Sequence, residues 1–199
     1  GNDIDGESAH DQFGTSVCIS SNGNTVAIGA PYNSGNGNNS GHVRVYDWIN
    51  SSWIQRGTDI DGEASSDQSG RSISISSDGN TLAIGAPGNN GNGNYSGHVR
   101  VYDWNSFSWI QRGQDIDGES YADESGYSVS INSNGNTLAV GAKGNDGNGF
   151  NSGHVRIYNW NGTSWSQKGQ DIDGENSGDY SGYSVSLSSD GNTVAIGAT

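Results

Sequence analysis

The sequence predicts an all-β chain of successive four-stranded antiparallel sheets, arranged side by side as the blades of a β-propeller. Three observations support this fold class: an internal repeat without insertions, four short runs of alternating residues in each repeat, and Asn-Gly or Asp-Gly turns between the first two runs. The alternative, a linear β-solenoid, has strands that pair in parallel, whereas these turns connect antiparallel neighbours.

The repeat is marked by Gly-x-Asp-Ile-Asp-Gly-Glu, which begins at residues 1, 57, 113 and 169 and therefore has a period of 56 residues. We expect one propeller segment of about three and a half blades over residues 1–199, with repeats at 1–56, 57–112 and 113–168 and a partial repeat at 169–199. Such a segment cannot close a ring alone. Because the chain also has no Met, it is expected to be a processed chain or part of a longer repeat array, whose remainder, or other protein chains, cover the open edges.

The strands are assigned from residues that alternate with a period of two. In the first repeat, Val17 and Ile19 alternate with Ser and Cys, and residues 25–30 place large side chains on one face and Ala or Gly on the other. Asn22-Gly23 between these strands predicts a two-residue type I′ turn, which requires a positive φ at both positions. The third strand is expected over 42–48, and the fourth begins at Trp53.

The composition excludes two classes of partner. The chain has 22 Asp and Glu against 8 Lys and Arg, a formal net charge of -14, so it lacks the basic clusters that nucleic acids and anionic membranes require. No apolar run approaches the roughly 18 residues of a membrane span. We therefore expect no nucleic-acid partner and no membrane-spanning segment. The single Cys excludes an internal disulfide framework.

Most acidic residues lie in the links between the last strand of one blade and the first strand of the next. In an extended link, side chains two residues apart point the same way, so these carboxylates repel one another unless they are solvated or bridged. One prediction is a bridging calcium ion, and the other is a solvated loop in which Asp and Gly favour turns. The candidate metal ligands are Asp3, Asp5, Glu7, Asp11, Asp59, Asp61, Glu63, Asp67, Asp115, Asp117, Glu119, Asp123, Asp171, Asp173, Glu175 and Asp179.

A second repeated segment, rich in Asn and Gly, joins the second and third strands. By strand parity it lies at the same end of the blade as the acidic links. Its amides and aromatic rings predict a surface that binds glycans, and the alternative is a loop whose Asn and Gly only satisfy tight backbone geometry. The candidate ligand-binding residues are Asn36, Asn38, Asn92, Asn94, Tyr95, Asn148 and Phe150.

The third strand of each complete repeat carries His, Arg, Tyr and Trp on one face. The three His are poor zinc ligands because a zinc site needs convergent donors, so packing is favoured, with each Arg available to bond a carboxylate or carbonyl across a blade interface. Cys18 replaces a repeated Ser and is expected to be a small buried filler. No hydrolase, metalloprotease or nucleotide-binding motif is present, so we expect a protein without catalytic activity.

In the first repeat, Phe13-Gly14 is followed by a strand, a hairpin and Ile28-Gly29-Ala30-Pro31, and the later repeats keep the Gly residues. This order resembles the FG-GAP repeat of the integrin α-subunit propeller and of its bacterial and algal relatives. The resemblance implies an extracellular or cell-surface propeller used for adhesion or ligand display, with calcium in a D-x-D-x-D-G hairpin. The hairpins here carry at most one carboxylate each, so that hairpin site is not expected.

The sequence thus predicts a non-enzymatic extracellular propeller with a structural or adhesive role, as part of a larger surface protein or fibre. The alternative is a carbohydrate-binding module that presents its Asn- and Gly-rich loops to glycans. Sequons in predicted loops and turns permit N-glycosylation if the chain is secreted by a eukaryote. They begin at Asn38, Asn50, Asn94 and Asn161.

Overall fold

A computed structural model describes residues 1–199 as three complete β-sheets and a two-stranded fourth sheet. The first sheet contains β1 (Ser16–Ile19), β2 (Thr25–Ala30), β3 (His42–Ile49), β4 (Ser52–Gln55) and β5 (Ile60–Asp61). The second contains β6 (Ser72–Ile75), β7 (Thr81–Ala86), β8 (His98–Trp104), β9 (Trp109–Gln111) and β10 (Ile116–Asp117). The third contains β11 (Ser125–Ile131), β12 (Thr137–Ala142), β13 (His154–Trp160), β14 (Trp165–Gln167) and β15 (Ile172–Asp173), and the fourth contains β16 (Ser184–Leu187) and β17 (Val194–Gly197).

The predicted fold class is confirmed: every sheet is antiparallel, and the sheets follow one another without closing into a ring. The structure adds one feature that the sequence did not predict. The outermost strand of each complete blade is interrupted and consists of two short strands. In the first blade, β4 pairs with the second half of β3 and β5 pairs with its first two residues. The acidic link therefore begins as a sheet edge rather than as a free loop. No helix in the structure is long and apolar enough to span a bilayer.

The prediction of a type I′ turn at Asn22-Gly23 is wrong. Gly23 has a φ of 73°, but Asn22 does not have a positive φ, and the Gly23 N–H donates to the Ser20 carbonyl at 2.9 Å. The Ser20 hydroxyl donates to Asn22 Oδ1 and accepts from the Thr25 N–H. These two bonds close a loop that is longer than two residues. The two-residue turn with positive φ at both positions is instead Asn50-Ser51, between β3 and β4.

Each sheet presents large side chains to the small-residue face of the sheet before it. Ile73, Leu82 and Ile84 of the second sheet share a buried cluster with Ala27 of the first, and Cys18 packs against the same cluster. Burial raises the pKa of the Cys18 thiol to about 12, which agrees with its predicted role as a filler. The low apolar content of the chain is therefore sufficient for a core, because both faces of each inner sheet are covered.

Glycine allows two backbones to meet between adjacent sheets. A Cβ on Gly29 would lie 2.2 Å from the carbonyl oxygen of Gly70, and a Cβ on Gly85 would lie 2.0 Å from that of Gly126. The first Gly of each pair is the penultimate residue of the second strand of one blade, and the other lies just before or near the start of the first strand of the next. These contacts set the spacing between blades.

Two arginines that the sequence analysis did not single out fasten the first sheet to the second and the second sheet to the third. The guanidinium of Arg56, just after β4, lies 4.7 Å from the ring centroid of Trp104 in the second sheet and donates to the carbonyl of Gly79 at 3.0 Å. The Trp109 indole N–H returns a bond to the Arg56 carbonyl at 3.0 Å. Arg112 repeats this arrangement on the third sheet.

Candidate functional site

The acidic residues of one link serve two different blades. In the link after the first blade, Asp59 accepts hydrogen bonds from Arg44 at 3.0 and 3.1 Å, and Asp61 lies opposite His42 in the β3–β5 pairing. Glu63 of the same link pairs instead with Arg100 of the second blade. The structure therefore separates the carboxylates that the sequence grouped into one candidate metal site.

We call the resulting cluster at the end of each complete sheet the blade centre. Each one combines a Glu and a buried Asp from the preceding link, an Asn that follows the second strand, the His and Arg of the third strand, and two Asp from the following link. The members are Glu7, Asp11, Asn33, His42, Arg44, Asp59 and Asp61 in the first blade; Glu63, Asp67, Asn89, His98, Arg100, Asp115 and Asp117 in the second; and Glu119, Asp123, Asn145, His154, Arg156, Asp171 and Asp173 in the third.

The remaining candidate ligands lie outside the three centres. Asp3 and Asp5 are exposed ahead of the first sheet, and Glu175 is exposed ahead of the two-stranded fourth sheet. Asp179 accepts a hydrogen bond from the Asn176 N–H at 2.8 Å. The fourth sheet has no third strand, so no His or Arg faces these last two carboxylates.

A guanidinium neutralises part of each centre. In the second blade, His98, Glu63 and Asp115 bring potential metal-ligating atoms within 4.8 Å of one another, but Arg100 donates to Asp115 at 2.7 Å and pairs with Glu63. Burial acts to lower the pKa of Arg100, and its hydrogen bonds to the two carboxylates outweigh burial and raise it. Burial and then Arg100 lower the pKa of His98, which favours the neutral imidazole. This part of the centre is an ion-pair network in which Arg100 already supplies the cation.

Two carboxylates in the second blade centre have no arginine partner. Asp67 is only 1% exposed and accepts hydrogen bonds from the Ala64 N–H and the Asn89 amide. Burial, and then the charges of Asp115 and Glu63, raise the pKa of Asp117, although His98 and Arg100 act in the opposite direction. Asp67 and Asp117 therefore lie on the side of the centre with which the guanidinium does not pair.

An oxygen-lined cradle lies beside these carboxylates. A Cβ on Gly91 would meet Asn89 Oδ1 at 3.2 Å and Asp117 Oδ1 at 3.3 Å, so the absence of a side chain leaves this space to the two oxygens. Gly35 and Gly147 have the corresponding Asn and Asp oxygens around them in the first and third blades. Carboxylate and amide oxygens are ligands that calcium accepts, so Asn89 Oδ1 and Asp117 Oδ1 fit a hard cation better than Glu63 and Asp115, which pair with Arg100.

The Asn- and Gly-rich loops lie at the same end as the links, as strand parity predicts. The Ser66 N–H donates to the Asn38 carbonyl at 2.8 Å, and the Asn36 amide donates to the Gly62 carbonyl at 2.8 Å. Asn92 and Asn148 make the equivalent amide bonds to Gly118 and Gly174. These three amides therefore fix the loops to the links, while Asn38, Asn94, Tyr95 and Phe150 are exposed. The sequon residues Asn50 and Asn161 are also exposed.

Sequence reasoning missed a cluster that departs from the repeat. Arg71 and Tyr127 occupy equivalent positions of the second and third repeats. The Arg71 guanidinium donates to the Tyr127 hydroxyl at 2.9 Å. Lys143, which replaces the Pro found at position 87, lies 4.4 Å from the Tyr127 ring centroid. The sequence prediction was based on residues that the repeats share, whereas these residues differ between equivalent positions of the repeats.

Solved structures share this fold at low sequence identity. The chain aligns with Kuenenia stuttgartiensis hydrazine synthase at 17% identity and a TM-score of 0.58, covering 98% of this chain and 45% of that one. It aligns with a putative 6-phosphogluconolactonase from Bacteroides uniformis at 13% identity and a TM-score of 0.51, covering 79% and 39%. A hypothetical selenium-binding protein from Sulfolobus tokodaii gives 13% identity, a TM-score of 0.50, and coverage of 76% and 38%. The chain thus spans less than half the length of each of these solved chains.

A search of curated proteins finds no match. The family model for the FG-GAP repeat matches residues 4–46 and 56–102, which include the paired glycines at the first blade interface. The same period and the same sheet continue through the third repeat. The chain is therefore a β-propeller segment that contains FG-GAP repeats.

Proposed function

We propose that this chain is a non-enzymatic extracellular propeller segment with a structural or adhesive role, within a larger surface protein or fibre. The FG-GAP repeats support a propeller-type domain of the kind that is often extracellular. The recurring Arg and acidic side chains pair with one another beside a buried His in three similar blade centres, which is the arrangement of a structural network. Other chains or further repeats would cover the open sheet edges.

The observation that carries the adhesive role is an aromatic surface on a fixed backbone. At the link end, Tyr95 is 46% exposed, Tyr121 72% and Phe150 72%. Their segments are joined by backbone hydrogen bonds, such as those from Ala122 to Asn94 and from Gly178 to Phe150. Aromatic rings held in place bury large areas on contact at a small cost in conformational entropy, which suits a surface that binds another molecule.

Adhesion should depend on these rings. Beads coated with the chain are expected to lose most of their retention on immobilised extracellular-matrix proteins when Tyr95, Tyr121 and Phe150 are all changed to Ala. The matched control is Phe107→Ala, because Phe107 is 86% exposed but lies in the β8–β9 turn at the opposite end of the blade. Equal retention of the triple variant and the Phe107 variant would count against an adhesive link end.

The second candidate is a carbohydrate-binding module at the same loops. Asn94 and Tyr95 are adjacent and exposed, which favours a contact with a sugar, whereas the Asn92 amide is already committed to the Gly118 carbonyl. A glycan array separates the two functions: selective binding that is lost in Asn94→Ala and Tyr95→Ala would support the carbohydrate-binding module. N-glycosylation at the four exposed sequons is a further proposal, which mass spectrometry of the secreted chain would check.

We also propose that calcium binds at the blade centres, on the side away from the arginine. The chain should then melt several degrees higher in millimolar calcium than in EDTA, because ligand binding to the folded state raises its stability. The variant with Asp61, Asp117 and Asp173 changed to Asn should lose that difference, whereas Asp3→Asn, at an exposed position outside the centres, should keep it. Equal melting temperatures of the native chain in calcium and in EDTA would refute the proposal.

A further inference from the structure

The inner strands of the four sheets meet along a groove with a volume of about 540 Å³. Its floor is apolar and repeats with the period of the chain: Val17, Ile73, Val129 and Val185. The hydroxyls of Ser16, Ser72 and Ser128 are turned to the next sheet, where they donate to backbone carbonyls at 2.7 to 2.8 Å. The floor therefore offers the hydrocarbon surface of these four side chains, and three of the four serines between them are already bonded to the next sheet.

The rim of the groove breaks the repeat. The four equivalent rim positions carry Thr15, Arg71, Tyr127 and Tyr183. The rings of Tyr127 and Tyr183 lie 5.2 Å apart at an interplanar angle of 50°, and the Arg71 guanidinium lies 4.6 Å from the Tyr127 ring centroid. Burial is the largest of the causes that raise the pKa of Tyr127, so its hydroxyl stays protonated at neutral pH.

Arg71 differs from the other arginines because no carboxylate lies within ion-pair distance of it. The arginines of the third strands pair with link carboxylates, and Arg56 and Arg112 pair with Asp47 and Asp103. Lys143 beside the groove is neutralised by Glu124 at 2.7 Å. In a chain with a formal net charge of -14, the rim thus holds a guanidinium without a counter-charge.

These features define the chemistry of a ligand. An arginine presents its N–H groups in a fork that matches the two oxygens of a carboxylate. Two tyrosine rings and an apolar floor accept the flat face of a ring, and the tyrosine hydroxyls offer hydrogen bonds at its edge. The negative charge of the whole chain disfavours polyanions, so the ligand should carry a single acidic group.

We propose that this groove binds an acidic saccharide, with the sugar carboxylate on Arg71 and the sugar ring against Tyr127 and Tyr183. The residues that line this groove belong to the inner strands and the positions just before them, not to the Asn- and Gly-rich loops, and binding there goes beyond the structural or adhesive role. The two proposals can be distinguished because the groove variants, Arg71→Gln and Tyr183→Ala, leave Tyr95, Tyr121 and Phe150 unchanged.

The test is a calorimetric titration of the 199-residue chain with a disaccharide that ends in glucuronic acid. Its neutral glucose analogue should bind at least about tenfold more weakly, as expected when one charge-assisted contact is lost. Arg71→Gln should weaken binding of the acidic sugar to a similar extent, and Tyr183→Ala should weaken binding of both sugars. Circular dichroism melts would show that each variant is folded.

Lys168→Gln provides the matched control because it removes the same charge from a residue that does not line the groove. Its affinity for the acidic sugar should equal that of the native chain. The proposal is overturned if the acidic sugar shows no saturable binding, or if folded Arg71→Gln binds it as tightly as the native chain. Equal affinity for benzoate and for the acidic disaccharide would also overturn it, since the groove would then recognise a carboxylate without the sugar.

Discussion

Replacing Gly85 by Ala is expected to lower the free energy of unfolding by about 3 kcal/mol, the upper part of the range for overpacking. The new methyl group would lie 2.0 Å from the carbonyl oxygen of Gly126, so it meets backbone and not a side chain that can rotate away. The second and third sheets would have to separate, which would also loosen the cluster that contains Ala83, Val129 and Leu138. Chemical denaturation followed by tryptophan fluorescence measures the effect.

The fourth sheet supplies a matched control for this substitution. Gly197 occupies the same position of the repeat, but there the nearest atom to an added Cβ is the Ser184 hydroxyl oxygen and no carbonyl of a further sheet is close. Gly197→Ala should therefore cost about 1 kcal/mol or less, since a serine side chain can change its rotamer. Similar losses of stability in Gly85→Ala and Gly197→Ala would show that the backbone contact between sheets does not determine the effect.

Arg100→Met is expected to cost about 2–4 kcal/mol, because it leaves Glu63 and Asp115 facing each other without their shared cation. The Arg100 side chain is largely buried, while the two carboxylates are partly exposed, which keeps the effect below that of a fully buried pair. Methionine retains much of the length of the side chain, so the loss reports mainly on charge and hydrogen bonding. Thermal melts at low and high salt provide the measurement.

A compensating variant distinguishes charge from packing. If unpaired carboxylates cause the loss, Glu63→Gln and Asp115→Asn added to Arg100→Met should restore a large part of the stability. Glu63→Gln and Asp115→Asn without Arg100→Met should cost less than the arginine substitution alone. An unchanged melting temperature in Arg100→Met would mean that the network contributes nothing to the fold.

The fold could be predicted from the sequence because its signals are local and recur. Alternation in residues 16–19 and 25–30 identifies strands, the Asn-Gly turns require antiparallel pairing, and strand parity places loops and links at one end. The type of turn was not predictable from Asn22-Gly23 alone. Ser20 and Thr25 close a longer loop through a side chain, and this bond depends on the fold of the whole hairpin.

The blade centres were only partly predictable. Alternation alone places Asp59, Asp61 and Glu63 on one side of an extended link, but β5 ends at Asp61 and Glu63 pairs with Arg100 of the second blade. The Gly62 N–H bonds to the Gly41 carbonyl, and a Cβ there would lie 2.0 Å from the carbonyl oxygen of Ser40. This close approach leads the chain away from one sheet and towards the next. The partners of the carboxylates lie in distant parts of the sequence, so spacing within the link cannot reveal them.

The division of the link at Gly62 also determines which segment of the chain contains all the residues of one blade centre. A segment that runs from residue 62 to residue 117 includes Arg100 together with Glu63, Asp67, Asp115 and Asp117. A segment cut at the visible motif, 57–112, loses the last two of these acids and gains two that belong to its neighbour. Gene duplication or engineered shuffling that respects the Gly62 boundary would therefore transfer a complete charge set, whereas shuffling at the motif would create mismatched junctions.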